Sequence, residues 1–253
     1  MLTFFGLPRK RSDWTSAAFK DHWLRRHGPL VAGEVEVSRH MRGYVQYHAL
    51  EDWPSHGWEG VAQLGFDSMQ SVAQTFSEPR YLSAIRPDEL SFSALDGARF
   101  LVTREAARVA CGGSDGDKMF FRFLRRRSGV SAEAFRAGLK QVAGSFAAAC
   151  SPANSFHSYA QYIEDEATAD PMNTGASNDF DYHAVETFRM ADPHNWPSFR
   201  DGAGAASFDT VYAAISVPEA SIDMMTQEHV IIPVPDPAGG APASISRRSE
   251  WLG

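Results

Sequence analysis

The sequence is short of residues and segments that mark several large protein classes. It has two cysteines among 253 residues, and they form no CxxC motif and no disulfide framework, which favours a reducing compartment. No apolar run approaches the roughly 18 residues of a membrane-spanning helix, and the N-terminus lacks the apolar core of a signal peptide. We therefore expect a cytoplasmic protein with no membrane partner.

The charge balance and the missing motifs exclude further classes. A net charge of −7 does not suit a nucleic-acid surface, because phosphate binding needs a basic face. The arginine run at residues 125–127 has a basic counterpart at residues 9–11, and we interpret both as solvated turns. The sequence contains no GxSxG, GxxxxGK[ST] or GxGxxG motif, and no metal-ligand spacing such as HExxH. We therefore expect no metal, no cofactor and no nucleic acid.

The sequence does contain a long internal repeat. Residues 4–28 reappear without a gap as residues 120–144, 116 positions later (120 − 4), and eight of the 25 positions are identical. Unrelated segments of this length would match at about one or two positions. A second similarity pairs residues 43–47 with residues 158–162. The period is far longer than the roughly 20 to 50 residues of solenoid repeats, so each copy must be a domain-sized unit.

Each copy predicts the element order βαββαβ. In the first copy, four apolar or β-branched runs are typical of strands: residues 2–7, 41–50, 60–66 and 99–103. Helices are expected after Ser12 or Asp13 and after Asp67 or Ser68, whose side chains can cap them. This is the order of the ferredoxin-like fold, an α+β fold with two helices on one face of a four-stranded antiparallel sheet. The two open sheet faces can cover each other and enclose a pseudo-symmetric barrel.

The second copy and the connecting segments follow from the same reasoning. Its elements are predicted at six segments: residues 119–124, 132–149, 156–163, 182–189, 207–215 and 229–232. We expect a first repeat at residues 1–110, a linker at residues 106–117, a second, diverged repeat at residues 118–234 and an extended Pro/Gly-rich tail at residues 235–253. The long acidic segment 165–179 is a candidate lid.

Three segments of the first repeat resemble the EthD family of dimeric α+β barrel proteins. They are residues 19–31 (FKDHWLRRHGPLV), residues 44–48 (YVQYH) and residues 60–68 (GVAQLGFDS), and the helix ending in His-Gly-Pro-Leu is the most specific part. The resemblance implies a ferredoxin-like unit that normally pairs with a second copy, here supplied by fusion as a tandem repeat. Proteins with this barrel include cofactor-free polyketide cyclases and lactone isomerases, some monooxygenases and haem-degrading proteins. The resemblance therefore narrows the architecture more than the reaction.

Two histidines of the first repeat are the candidate catalytic residues. His27 and His48 can each move a proton near neutral pH, and they align with Ala143 and Ile163 in the second repeat. The alternatives are that His27 caps a helix C-terminus and that His48 belongs to an outer polar rim. His22 lies about 140° from His27 around an α-helix, so we do not expect the two to share a metal.

Polar residues of the predicted strands are the candidate substrate-binding residues. They are Tyr44, Gln46, Gln63, Tyr159, Gln161, His183 and Glu186. Tyr44 and Gln46 share one strand face with His48, and Tyr159 and Gln161 repeat the pair in the second copy. His183 and Glu186 fall on opposite faces of their strand, so they are not expected to act together.

These expectations predict a cofactor-independent enzyme that performs acid/base proton transfer inside the barrel. Its substrate would be a small hydrophobic aromatic, phenolic or keto molecule, and the reaction a cyclisation, an isomerisation or a lyase step such as decarboxylation. The alternatives are a non-catalytic small-molecule binding or stress-response protein and a cofactor-free monooxygenase. A homodimer of the whole chain stays open.

Overall fold

Strands and helices follow one another in the same order in the two halves of the chain. The computed structural model describes residues 1–96, 98–112, 116–150, 156–164, 182–200 and 205–234. The predicted tail at 235–253 and the candidate lid at 165–179 lie outside the described residues. Within the described ranges, no helix is long and apolar enough to cross a membrane.

The first half contains four strands and five helices. The strands are β1 (Leu2–Leu7), β2 (Gly43–Ala49), β3 (Gly60–Phe66) and β4 (Arg99–Ala110). The helices are α1 (Ser16–His22), α2 (Gly28–Gly33), α3 (Val35–Ser38), α4 (Met69–Ser77) and α5 (Arg86–Phe92). Two π-helical turns lie between them: the first π turn, Trp23–His27, joins α1 to α2, and the second π turn, Tyr81–Ile85, precedes α5.

In the second half, the described residues repeat the strand pattern and include three helices. Its strands are β5 (Lys118–Leu124), β6 (Phe156–Glu164), β7 (Ala184–Met190) and β8 (Ile222–Ile232). Its helices are α6 (Ala132–Ala149), α7 (Asn195–Arg200) and α8 (Ala205–Ile215), and a 3₁₀ turn, Pro218–Ala220, precedes β8.

The eight strands form a closed antiparallel barrel. Their order around it is β1, β3, β2, β8, β5, β7, β6, β4. Within each half the strands run in corresponding order, β4-β1-β3-β2 and β8-β5-β7-β6. The pairs β2–β8 and β4–β6 join the two halves. The edge strands of each four-stranded half thus pair with edge strands of the other half, which closes the barrel. A closed barrel leaves no strand edge unpaired.

A hydrophobic core fills the barrel. Its members come from all eight strands and include the inward-facing aromatic residues Phe5, Tyr47, Phe121, Phe123 and Tyr162. The ring centroids of Phe5 and Tyr162 lie 5.1 Å apart, and those of Tyr47 and Phe121 lie 4.8 Å apart, so the two sheets contact each other directly. The expectation that a substrate binds inside the barrel is therefore wrong, because aromatic side chains occupy that space.

The helices cover the outside of the barrel and bury a second layer in each half. In the first half this layer contains outward-facing strand residues such as Phe4, Tyr44 and Leu64 together with Val31 of α2 and Tyr81 of the second π turn. Alternating strand residues thus serve two cores, an inner one and an outer one. The outer layer of the first half is where the candidate site lies.

Several boundaries differ from those expected from the sequence. Thr15, and not Ser12 or Asp13, caps α1, because its side chain accepts a hydrogen bond from the amide of Ala18 at 3.1 Å. β4 continues to Ala110, so residues 106–110 of the expected linker belong to a strand that pairs with β6. β8 begins at Ile222, seven residues before the predicted start, because these residues pair with β5.

The two cysteines form a disulfide bond. Cys111 follows the end of β4 and Cys150 follows α6, and their Cα atoms lie 5.3 Å apart. The sequence predicts no disulfide framework, because the two cysteines form no CxxC motif, and 39 residues separate them. The fold brings them together, and the cellular compartment stays a prediction.

Candidate active site

A cavity of about 100 Å³ lies between the sheet and the helices of the first half. Its floor is formed by outward-facing residues of the strands, including Phe4, Gly6 and Ala62, and its walls by residues of the helices and π turns. A site needs about 10 to 15 Å³ of such space to hold one water molecule, so this cavity can accept a ligand of several heavy atoms. The lining is apolar except for six side chains with polar groups: Trp23, His27, Tyr44, Tyr81, Glu89 and Ser93.

The two π turns border this cavity. Trp23 and His27, the first and last residues of the first π turn, line it, and so do Tyr81 and Ile85, the first and last residues of the second. π-Helical turns are rare and occur frequently at functional sites, because the extra residue changes the direction of the side chains that follow. The hydrophobic spacing of the sequence predicted neither turn, because it also fits an ordinary α-helix.

A carboxylate bridges the two histidines at one side of the cavity. His27 Nδ1 lies 2.9 Å from Asp88 Oδ2, and His22 Nε2 lies 2.8 Å from Asp88 Oδ1. The expected angle of about 140° between His22 and His27 is wrong, because the i→i+5 pattern of a π-helix places residues five apart on the same side. Asp88 was missed because it is 61 residues from His27 in the sequence.

The bonding of His27 leaves one ring nitrogen for a ligand. Its Nδ1 is held by Asp88, and within the described ranges no group forms a hydrogen bond with its Nε2. No fully buried nitrogen or oxygen of a described side chain lacks a partner, so this Nε2 must keep contact with open space. Burial alone would raise the pKa of Asp88, but the hydrogen bonds from His27 and His22 outweigh it and lower that pKa. Asp88 is therefore the ionised partner of His27.

Tyr44 lines the cavity, and its hydroxyl has a defined set of hydrogen bonds. It accepts two hydrogen bonds, from Trp23 Nε1 at 3.0 Å and from Gln46 Nε2 at 3.0 Å. Because both acceptor positions of the oxygen are used, its own proton is left to donate, and Tyr44 lines the cavity. Burial is the main cause of the raised pKa of Tyr44, so its hydroxyl stays neutral.

His48 lies behind this group and does not line the cavity. Its ring stacks on Trp23 at 4.8 Å, and its Nε2 lies 3.1 Å from Gln46 Oε1. Burial, followed by the nearby His229 and Lys20, lowers the pKa of His48 to about 3. The structure therefore places this predicted catalytic residue away from the open space, where it holds the amide of Gln46.

Glu89, which the sequence analysis did not select, lines the cavity beside His27. Its Oε2 accepts a hydrogen bond from the Tyr81 hydroxyl at 2.8 Å and lies 3.5 Å from Arg86 Nη1. Burial raises the pKa of Glu89 although His27, Tyr81 and Arg86 all act in the opposite direction. The signal available in the sequence was the Asp88-Glu89 pair directly after Pro87, at the start of a helix.

The corresponding layer of the second half is occupied by side chains. Glu186 is fully buried, and its carboxylate accepts hydrogen bonds from Tyr159 at 2.6 Å, from Gln161 at 2.9 Å and from Tyr212. Trp196 stacks on the ring of Phe120 at a centroid distance of 3.7 Å. Tyr159, Gln161 and Glu186 therefore form a closed network among themselves and are not arranged around open space.

Strand register explains why the cavity lies in the first half. Gly6 pairs with Ala62 across β1 and β3, and Arg122 pairs with Glu186 at the corresponding place across β5 and β7. In the same way, Gln46 pairs with Ala62 across β2 and β3, and Gln161 pairs with Glu186 across β6 and β7. The two small residues leave the space that the two long charged side chains fill in the second half. Arg122 is in turn held by Asp223 at 2.6 and 2.8 Å.

Two further predicted binding residues lie away from the cavity. His183 precedes β7, and its Nδ1 accepts a hydrogen bond from the amide of Arg126 at 3.2 Å. Gln63 lies on the inward-facing side of β3, next to the hydroxyl of Tyr162. Neither residue lines the cavity. Successive residues of a strand face opposite sides, so Gln63 lies on the side opposite to Ala62, and Ala62 is the one that lines the cavity.

The donor set of the site does not form a metal centre. His22 and His27 each direct one ring nitrogen at Asp88, which uses one oxygen for each of them. In the part of the chain that the structure describes, no group of three or more His, Cys, Asp or Glu side chains is arranged to hold a metal ion.

Comparison with known proteins gives a match to one family model within the first half and a similar fold for the whole chain. Residues 11–96 match the model of the EthD domain family. The crystal structure of an anthrone oxidase-like protein is 9% identical with a TM-score of 0.62, over 97% of this chain and 96% of that chain. A candidate monooxygenase from Fusobacterium nucleatum subsp. nucleatum is 8% identical with a TM-score of 0.52, over 91% of each chain.

A chlorite dismutase from Candidatus Nitrospira defluvii, in complex with imidazole, also has this fold. It is 10% identical with a TM-score of 0.52, over 89% of this chain and 90% of that chain. At such identities these structures show a common α+β barrel fold and not a common reaction. Comparison with curated proteins gives no match.

Proposed function

We propose that the cavity of the EthD domain, residues 11–96, is the active site of an enzyme that moves protons on a small aromatic, phenolic or keto substrate without a cofactor. The observation that carries the proposal is the arrangement of His27, held by Asp88, and of Tyr44, whose hydroxyl proton is left to donate, around one apolar cavity. Apolar walls with a few convergent polar groups are typical of small-molecule sites.

In this mechanism His27 is the general base. Its Nε2 takes a proton from a substrate C–H next to a carbonyl group, or from a phenolic O–H, and Asp88 stabilises the imidazolium that forms. Negative charge then develops on the substrate oxygen. The Tyr44 hydroxyl donates a hydrogen bond to that oxygen, and in an apolar cavity such a bond stabilises the charge more than it would in water.

His48 and Gln46 position Tyr44. The hydrogen bond between His48 Nε2 and Gln46 Oε1 fixes which side of the amide carries the NH₂ group, and that group donates both to the Trp23 carbonyl at 2.8 Å and to Tyr44. This arrangement leaves the Tyr44 proton to donate to a ligand in the cavity. In this proposal His48 therefore acts through Gln46 and does not touch the substrate.

In this proposal the second half is a diverged copy of the first, and it packs against the half that carries the site. Gln46 donates to the carbonyl of Trp23 at 2.8 Å, and Gln161 donates to the carbonyl of Leu139 at 2.8 Å, at positions shifted by 115 (161 − 46) and 116 (139 − 23). This repeated contact supports two tandem ferredoxin-like repeats, at residues 1–110 and 118–234. Within them, Tyr159, Gln161, His183 and Glu186 would have structural roles.

Cyclisation, isomerisation and an elimination all begin with the proton transfer described above, whereas in a decarboxylation the C–C bond to the carboxylate breaks first and Tyr44 stabilises the charge that develops on the substrate oxygen. Cofactor-free oxygenation begins with the proton transfer too, because a deprotonated substrate can itself react with oxygen. The names of two structural neighbours, an anthrone oxidase-like protein and a candidate monooxygenase, favour keeping oxygenation as the second candidate. The third candidate is binding of a small molecule without turnover, and the experiment must distinguish it from proton transfer and from oxygenation.

The test is a substrate screen with matched variants. Phenols, naphthols and anthrones are incubated with the full chain, and products and dissolved oxygen are followed together. Replacing His27 by Ala should lower turnover by about 10²- to 10⁴-fold, the usual effect of losing a positioned general base. The control is Tyr159→Phe in the second half, which should leave turnover within a few fold of wild type.

Each alternative gives a different result. Oxygen consumption that depends on His27 would assign the monooxygenase reaction, whereas product formation without oxygen uptake would assign an isomerase, cyclase or lyase. Ligand binding without any product would make the chain a binding protein. Wild-type turnover in the His27→Ala variant would refute the proposed site.

A further inference from the structure

Glu89 has no role in the mechanism above, yet its carboxyl group lines the same cavity. It follows Asp88 on α5, so two neighbouring carboxyl groups lie near His27: Asp88 binds its Nδ1, and Glu89 lines the cavity together with His27. Oε2 of Glu89 is held by Tyr81, with Arg86 Nη1 3.5 Å away. Among the described residues no group bonds Oε1, which must keep contact with open space because no fully buried oxygen lacks a partner.

The surroundings of the two carboxyl groups favour different protonation states. Asp88 and Glu89 have similar exposure, with 19% and 16% of their side chains accessible, but Asp88 lies between two histidines that favour its ionised form. Glu89 faces His27 from the first π turn, Tyr81 from the second, Tyr44 from β2 and Arg86 from its own helix. Burial raises the pKa of Glu89 despite these neighbours, and the pKa of Asp88 is lowered. Titratable groups whose pKa values are shifted in opposite directions commonly divide the acid and base roles of a site.

We infer that Glu89 is a second catalytic residue, which enters the reaction as a neutral acid and protonates the substrate oxygen. The inference rests on the proposed function. His27 takes a proton from the carbon next to the carbonyl, the electron pair of that C–H bond forms the enol double bond, and the carbonyl oxygen takes the proton of Glu89. The imidazolium of His27 then protonates a different carbon, and the enol O–H returns its proton to Glu89. Both residues regain their initial states, so no oxidant or other reactant is needed.

The protonation state of Glu89 can be measured without a substrate. Infrared difference spectra between wild type and Glu89→Gln at neutral pH should contain the C=O stretch of a protonated carboxyl group, shifted by deuteration. That band should disappear only at a pH above the ordinary Glu pKa of about 4.3. Glu78→Gln is the matched control, because hydrogen bonds from His40 and Arg39 lower the pKa of Glu78, and its difference spectrum should contain carboxylate bands alone.

Turnover of the substrate found in the screen tests the catalytic role. Glu89→Gln should lower kcat by about 10²- to 10⁴-fold and should remove the decline in rate that wild type shows as Glu89 ionises at higher pH. Absence of the protonated band, or wild-type kcat in Glu89→Gln, would overturn the inference even if His27→Ala abolishes turnover. A protonated Glu89 in a chain that turns over none of the compounds would instead refute the proposed function, and the catalytic role of Glu89 with it.

Discussion

The neutral state of His48 leads to a quantitative prediction about stability and pH. The ring is buried against Trp23 beside His229 and Lys20, and its pKa is lowered to about 3 from an ordinary value near 6.5. In the unfolded chain His48 takes up a proton as the pH falls below about 6.5, whereas in the folded chain it does not until about pH 3. The unfolded state therefore binds more protons in this window, and stability must fall as the pH falls.

The size of the effect follows from the two pKa values. Between pH 7.5 and pH 4.5 the linkage relation gives a loss of about 2.6 kcal/mol from His48 alone. The result is insensitive to the folded pKa, because a value one unit higher still lies below pH 4.5. A loss of this size is a large fraction of the roughly 5 to 15 kcal/mol that stabilises an ordinary domain.

Urea denaturation of wild type and His48→Gln at several pH values measures the effect. The variant loses the stacking on Trp23 and should be less stable at pH 7.5, but it lacks the titration, so the difference between the two proteins should shrink by about 2.6 kcal/mol toward pH 4.5. His194→Gln, at an exposed histidine, should follow wild type. Equal pH dependence of wild type and His48→Gln would refute the burial argument.

Three further predictions concern the site and the barrel. Ala62→Leu should fill the floor of the cavity and abolish binding of 4-nitrophenol, measured by fluorescence quenching, while the urea midpoint stays unchanged or rises; retained affinity would show that the ligand binds elsewhere. Asp88→Asn should lower stability at pH 7 by about 1.5 to 3 kcal/mol, a difference that should shrink as the pH falls below about 4 because Asp88 has a lowered pKa, and a pH-independent difference would contradict this. A fragment of residues 1–110 should be insoluble or dimeric by ultracentrifugation, because removing the second half exposes the face that carries Phe5 and Tyr47; a soluble, cooperatively folding monomer would contradict the shared core.

Local patterns predicted most of the secondary structure. The apolar run at Leu2–Leu7 and the helix at Ala132–Ala149 have the expected bounds, because hydrophobic spacing and a capping residue decide such elements over a few turns of chain. The π turns at Trp23–His27 and Tyr81–Ile85 were not predicted, since one added residue in a helix barely changes its hydrophobic pattern. That one residue decides whether His22 can reach Asp88.

The candidate site was predicted in part. The sequence selected His27 and Tyr44, which line the cavity, and also Gln46, which holds Tyr44 in place. It missed Asp88 and Glu89, because a charged pair at the start of a helix most often faces solvent. His48 was selected for a role at the substrate and instead stacks behind Trp23.

By itself the sequence determined the α+β class and predicted a repeated strand order and a site in the first half, because these follow from composition, periodicity and differences between the two copies. Only the tertiary structure decided which face of each strand lines the candidate cavity. Along β2 both faces are buried, so alternation distinguishes the Tyr44 face from the Val45 face but cannot orient either one. Closure of the barrel turns Val45 and Tyr47 inward, where the apolar side chain of Val45 needs no polar partner and the Tyr47 hydroxyl donates a hydrogen bond to Glu228. Tyr44 and Gln46 face the helices, where the carbonyl and indole groups of Trp23 satisfy their hydrogen bonds.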